Sequence, residues 1–134
     1  MPVQTRMSMH VNSHALEHMQ TAIADELALP LFLRFILIAK QESTAISCAA
    51  WQLDNDRMVP IVFKAIAPLT VGSKKGKPNP RIDAAMRAYH MILGGELAQF
   101  ASNPTGYCDY AKELAADLGQ YKPEESVLVI KPAQ

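Results

Sequence analysis

The sequence predicts an α+β domain, in which an antiparallel sheet of three to four strands carries three helices. Three observations predict it. The stretch from Pro30 to Ala67 is the most apolar and β-branched part of the chain, two later segments open on an asparagine–proline pair followed by apolar residues at helical spacing, and a short apolar run, SVLVI, is fenced by Pro123 and Pro132. At 134 residues the chain suits one globular domain, 1–134, because a chain of this size buries about two-thirds of its unfolded surface.

Residues 1–9 show no periodicity and are expected to form a loose arm. Asn12 or Ser13 can cap a first helix, 13–28, whose apolar stripe is Leu16, Met19, Ile23 and Leu27. Pro30 closes it, since the residue before a proline is pushed out of the helical region. A single helix through Leu31, Phe35, Ile38, Glu42 and Ala45 would put the polar run Gln41-Glu42-Ser43-Thr44 in its middle and apolar residues on every face. Strands are therefore expected: a meander over 31–67, with Asp54-Asn55-Asp56 as a turn and Pro60 marking an edge. A fourth strand, 126–130, joins it.

Two glycines and two prolines between Leu69 and Pro80 make 69–79 a flexible basic loop. Asn79 and Pro80 then start a helix over 80–101, and Asn103 and Pro104 another over 104–118. Gly94-Gly95, inside the longer of these, marks either a bend or a place where another backbone comes close.

Composition excludes several classes. With 49% hydrophobic and 19% charged residues, the chain is globular and not disordered. Thirteen basic residues balance thirteen acidic ones, so any attraction to an anionic partner is local. Cys48 and Cys108 match no CxxC pattern and read as reduced core residues. No apolar run reaches the ~20 residues of a membrane span, and the N-terminus lacks the apolar core of a signal peptide. A cytoplasmic protein without membrane contact or cofactor is expected.

Three functional leads remain. Between Arg57 and Ile82 there are six basic residues and no acidic one: Arg57, Lys64, Lys74, Lys75, Lys77 and Arg81. A basic loop feeding a helix N-terminus can wrap phosphates, so the leading expectation is a non-catalytic intracellular protein binding nucleic acid through 57–81. The loop lacks the spacing of a phosphate-binding GxxxxGK[ST] motif. Asp109, Glu113 and Asp117 recur at four on the last helix and suit a basic protein partner. The alternative is accordingly a protein-binding inhibitor or adaptor of a bacterial or mobile-element system, such as a phage anti-defence protein, with a homodimer permitted.

The third lead is His14-Ala15-Leu16-Glu17-His18, which fits H-x-x-E-H. Two imidazoles one helical turn apart, with a glutamate beside them, can hold zinc and activate its water. With Met19, these six residues resemble the zinc-binding helix of the pitrilysin and insulinase metallopeptidases. The resemblance implies a zinc-dependent hydrolase in which Glu96, 78 residues after His18, completes the metal site. His10 adds a third histidine at spacing four. No nucleophile motif or dinucleotide fingerprint is present.

Overall fold

The computed structural model describes residues 3–132, with side chains from His10 onward. Among the described residues it contains five α-helices: α1 (Val3–Gln20), α2 (Asp25–Ser47), α3 (Asn55–Ile66), α4 (Pro80–Ser102) and α5 (Pro104–Tyr121). Two three-residue strands, β1 (Trp51–Leu53) and β2 (Leu128–Ile130), pair antiparallel with Trp51 opposite Ile130 and Leu53 opposite Leu128. The expected α+β fold with a three- to four-stranded sheet is thus overturned in favour of a helical bundle with a two-stranded ribbon.

The error lies in 31–67. The run from Leu31 onward is the body of α2, and Met58–Ile66 belongs to α3. The buried residues Ala28, Leu31, Phe32, Phe35, Ile38 and Ala39 do recur at helical spacing, but Leu29, Leu33 and Ile46 on the exposed side are apolar too, so no polar face sets the stripe off. The polar run is tolerated because Gln41, Glu42 and Thr44 find partners. Gln41, Ser43 and Thr44 are buried, and the Thr44 hydroxyl donates to the Lys40 carbonyl at 2.8 Å. The Gln41 amide accepts from the Val127 N–H at 2.7 Å and donates to the Glu125 carbonyl at 3.0 Å.

Proline misled for a physical reason too. Pro30 and Pro60 each sit six residues into a helix and remain exposed. Each removes one hydrogen bond, to the carbonyls of Glu26 and Asp56, and both of those residues face water. The break expected at Pro30 falls instead at 21–24, where Thr21, Ala22 and Ile23 donate backwards to His18 and Met19 carbonyls. The first helix accordingly starts earlier and ends earlier than 13–28, taking in the expected arm from Val3 onward, while residues 1 and 2 lie outside the described part.

α1 and α2 both pack on α4. The core joins Ala15, Met19 and Ile23 to Phe35 and Ile38 of α2, to Ala85, Ala88 and Ile92 of α4, and to Leu69. Small residues bring α1 and α4 close together. A methyl group at Gly95 would stand 3.2 Å from a Val11 methyl, so this glycine marks a close approach and α4 runs through it unbroken. α3 packs on the core through Met58, Ile61, Val62 and Ile66, with Ala65 as its buried residue. No helix among the described residues is long and apolar enough to cross a membrane.

The cysteines require a second correction. Cys48, at the C-terminal cap of α2, is disulfide-bonded to Cys108 in the first turns of α5, with Cα atoms 5.8 Å apart. Sixty residues separate them in sequence, so spacing could not pair them; the return of α5 against the end of α2 does.

Candidate functional site

The structure divides the six basic residues of 57–81. Arg57, in the first turn of α3, donates from its guanidinium to the Pro123 carbonyl at 2.7 Å, tying α3 to the turn before β2. The Arg81 guanidinium donates to the Val71 carbonyl and closes the base of the loop. Lys64 is exposed in the last turn of α3, beside a groove shared with Glu26 and Arg34 of α2. Lys74, Lys75 and Lys77 remain together, all exposed, and none forms an ion pair among the described residues.

The loop that carries them is built from turns. Ser73 N–H donates to the Thr70 carbonyl at 3.0 Å and Lys77 N–H to the Lys74 carbonyl at 3.1 Å. Gly72 and Gly76 take φ values of 77° and 79°, which glycine adopts without a Cβ penalty. Asn79 anchors the far end: its Nδ2 donates to the Leu69 carbonyl at 2.9 Å, and its Oδ1 accepts from the N–H groups of Arg81 and Ile82 at 3.1 and 3.2 Å. Asp83 N–H bonds to the Asn79 carbonyl, and Pro80 has no N–H. Every early donor of α4 is therefore satisfied internally, and the expected anion site at that helix N-terminus is not free. What survives is a turn bearing three ammonium groups.

The H-x-x-E-H histidines separate as well. His14 Nε2 lies 3.1 Å from His10 Nε2, one turn earlier, and His14 Nδ1 lies 3.5 Å from a Glu17 carboxylate oxygen. His18 turns inward, its Nε2 buried with no hydrogen-bond partner. Glu96 is committed elsewhere. Among the described residues no three His, Cys, Asp or Glu side chains converge on one point, so the ligand set implied by the resemblance of 14–19 does not assemble.

A third region was not foreseen. Between α2, α4 and α5 lies an open cleft of about 250 Å³, lined by Lys40, Thr44, Glu96, Asn103, Tyr107 and Tyr110 among others. Glu96 is only 2% exposed. It accepts from Lys40 Nζ at 2.8 Å through one oxygen and from the Tyr107 hydroxyl at 3.0 Å through the other. Burial, reinforced by the Glu96 carboxylate, pushes the Tyr107 phenol well above its ordinary range, and the nearby Ser43 and Thr44 hydroxyls pull back part of the rise. The Ser43 hydroxyl nonetheless makes no hydrogen bond. Tyr89 is raised likewise, first by burial and then by its hydrogen bond to the Glu42 carboxylate.

Chemically this is a satisfied network. Both tyrosines stay protonated donors at neutral pH, and Lys40 and Glu96 form an ion pair 2.8 Å apart. One trace of it was in the sequence. Ala85, Tyr89, Ile92 and Glu96 share the buried stripe of α4, so a lone acid sat at an inward position and required a partner. Which partner, Lys40 at a distance of 56 residues, no spacing could say.

On α5, Asp109, Glu113 and Asp117 are exposed, as the solvent face of an amphipathic helix should be. No protein-family model matches the chain, and no curated protein or solved structure matches it either.

Proposed function

We propose that this is a non-catalytic binding protein that holds an anionic partner, nucleic acid being the favoured class, against the turn carrying Lys74, Lys75 and Lys77. The observation that supports it is the isolation of these three ammonium groups: they are exposed, lie within four residues, and have no acidic partner among the described residues. Arg57 and Arg81 leave the site, because their guanidinium groups serve the fold. Lys64 stands apart on α3. Unpaired surface lysines bind phosphates by releasing counterions, so the interaction is sequence-tolerant and strongly salt-dependent.

The test is fluorescence anisotropy of labelled single-stranded and duplex oligonucleotides across a salt series. Three neutralised phosphates on duplex give a log–log slope of about −2.7. The Lys74→Ala/Lys75→Ala/Lys77→Ala variant should lose binding and most of that slope. A parent protein that binds neither oligonucleotide at low salt, or a triple variant that binds as the parent does, overturns the reading.

One observation favours a second reading, a protein-binding inhibitor or adaptor. Val59 and Phe63 lie one turn apart on the outer face of α3, 51% and 66% exposed, and paired large apolar groups in water suit a protein partner. Here Phe63→Asp would abolish a stoichiometric complex that the triple-lysine variant retains. The cytoplasmic location expected from the sequence loses one of its supports, because Cys48 and Cys108 are bridged.

A further inference from the structure

We propose that His10 and His14 form a chelating site on α1 for a late first-row divalent metal ion, Cu(II) above all. The geometry carries it. Metal–imidazole bonds of about 2.0–2.1 Å place two cis nitrogens roughly 2.9 Å apart at a right angle and 3.4 Å apart at a tetrahedral one. His10 Nε2 and His14 Nε2 stand 3.1 Å apart, between these limits. The rings meet nearly at right angles, 88° between planes, on the exposed side of the helix, where an ion and its waters have room.

The surroundings set the donor atoms. Glu17 places a carboxylate oxygen 3.5 Å from His14 Nδ1. That carboxylate favours the tautomer protonated at Nδ1 and leaves the Nε2 lone pair outward, the arrangement by which neighbouring carboxylates orient metal-binding histidines. In the metal-free pair His10 donates its Nε2 proton to that lone pair. On loading, His10 shifts its proton to Nδ1 through solvent, so both rings stay neutral, both Nε2 atoms donate, and no net proton is released.

Imidazole donors select copper, nickel and zinc over calcium or magnesium, and affinity follows the order in which Cu(II) exceeds Ni(II) and Zn(II). With two protein ligands, the other coordination positions stay with water. The site differs from the H-x-x-E-H arrangement in its partner: His14 pairs with the histidine before it, and His18 faces inward.

The experiment uses the full chain, tag-free and stripped of metal, titrated separately with Cu(II), Ni(II) and Zn(II) by calorimetry. The Cu(II) complex is then characterised by electron paramagnetic resonance. One equivalent should bind, tightest for Cu(II), with hyperfine structure from two nitrogens. His10→Ala and His14→Ala should each weaken binding at least about 10-fold, and Glu17→Gln by up to about 10-fold. His90→Ala, an exposed histidine on α4, should change nothing. His18→Ala, checked for folding by circular dichroism, should retain the site. His18→Gln serves in its place if the alanine variant unfolds. Absence of binding at millimolar Cu(II) overturns the proposal. So does binding that survives the His10→Ala/His14→Ala double substitution, or binding lost in a folded His18 variant.

Discussion

The lysine turn and the Lys40–Glu96–Tyr107 cleft are two charged features of this molecule, and they are opposites. In the turn, three like charges stand in water without partners, and they cost the fold almost nothing because water solvates them. In the cleft, one carboxylate is nearly sealed from water and survives only because an ammonium group and a phenol hydroxyl meet its two oxygens. Charge that is free to act on a partner is therefore irrelevant to stability here, while charge that matters to stability is already spent.

Substitutions at Lys40 and Glu96 sharpen that contrast most. Lys40→Met strands the buried carboxylate and should cost about 3–5 kcal/mol in urea unfolding. Glu96→Gln leaves a Lys40 side chain that is 26% exposed and can reach water, so its cost should be nearer 1–3 kcal/mol. Equal costs would contradict the asymmetry. Next is the bridge that holds α5 over this cleft. Closing a loop of 60 residues stabilises by about 4 kcal/mol in the chain-entropy account, and Cys48→Ser/Cys108→Ser should lose stability of that order, read by the same denaturation midpoint.

A smaller effect is set by pH. The folded-state phenols of Tyr89 and Tyr107 are raised, so the folded chain keeps protons that the unfolded chain releases near about pH 10. Their contribution is complete below that pH and is lost as pH rises above it. Tyr89→Phe/Tyr107→Phe should flatten the fall in stability between about pH 10 and 11 relative to the parent. Smallest of all, the triple-lysine variant should unfold within about 0.5 kcal/mol of the parent while losing its salt-dependent binding. A large destabilisation there would mean that the turn belongs to the fold.

The same contrast explains what was legible. Caps are local chemistry, and Asn79-Pro80 and Asn103-Pro104 mark the starts of α4 and α5 from neighbouring residues alone. Periodicity reports a helix only when one side is wet. α2 shows water the apolar side chains of Leu29, Leu33 and Ile46 and buries the polar Gln41, Ser43 and Thr44, which inverts the usual pattern, and the Val127 partner of Gln41 lies 86 residues away. The lysine turn was visible because it is contiguous, whereas the cleft joins residues from three helices. His10 reads in the sequence as a third histidine at spacing four, but only the rotation of α1 shows that it, and not His18, meets His14.

The stitching of Gln41 to Glu125 and Val127, with Arg34 held to Glu125 at 3.0 Å, also bears on the order of synthesis. α2 leaves the ribosome some eighty residues before the 125–127 segment that satisfies its central amide. Until 125–130 emerges, Gln41 must keep water or a makeshift partner in what becomes a dry interior. Satisfaction of Gln41 then waits on Glu125 and Val127, and a chain stalled just short of them would carry α1 to α5 and still leave that buried amide without its partners.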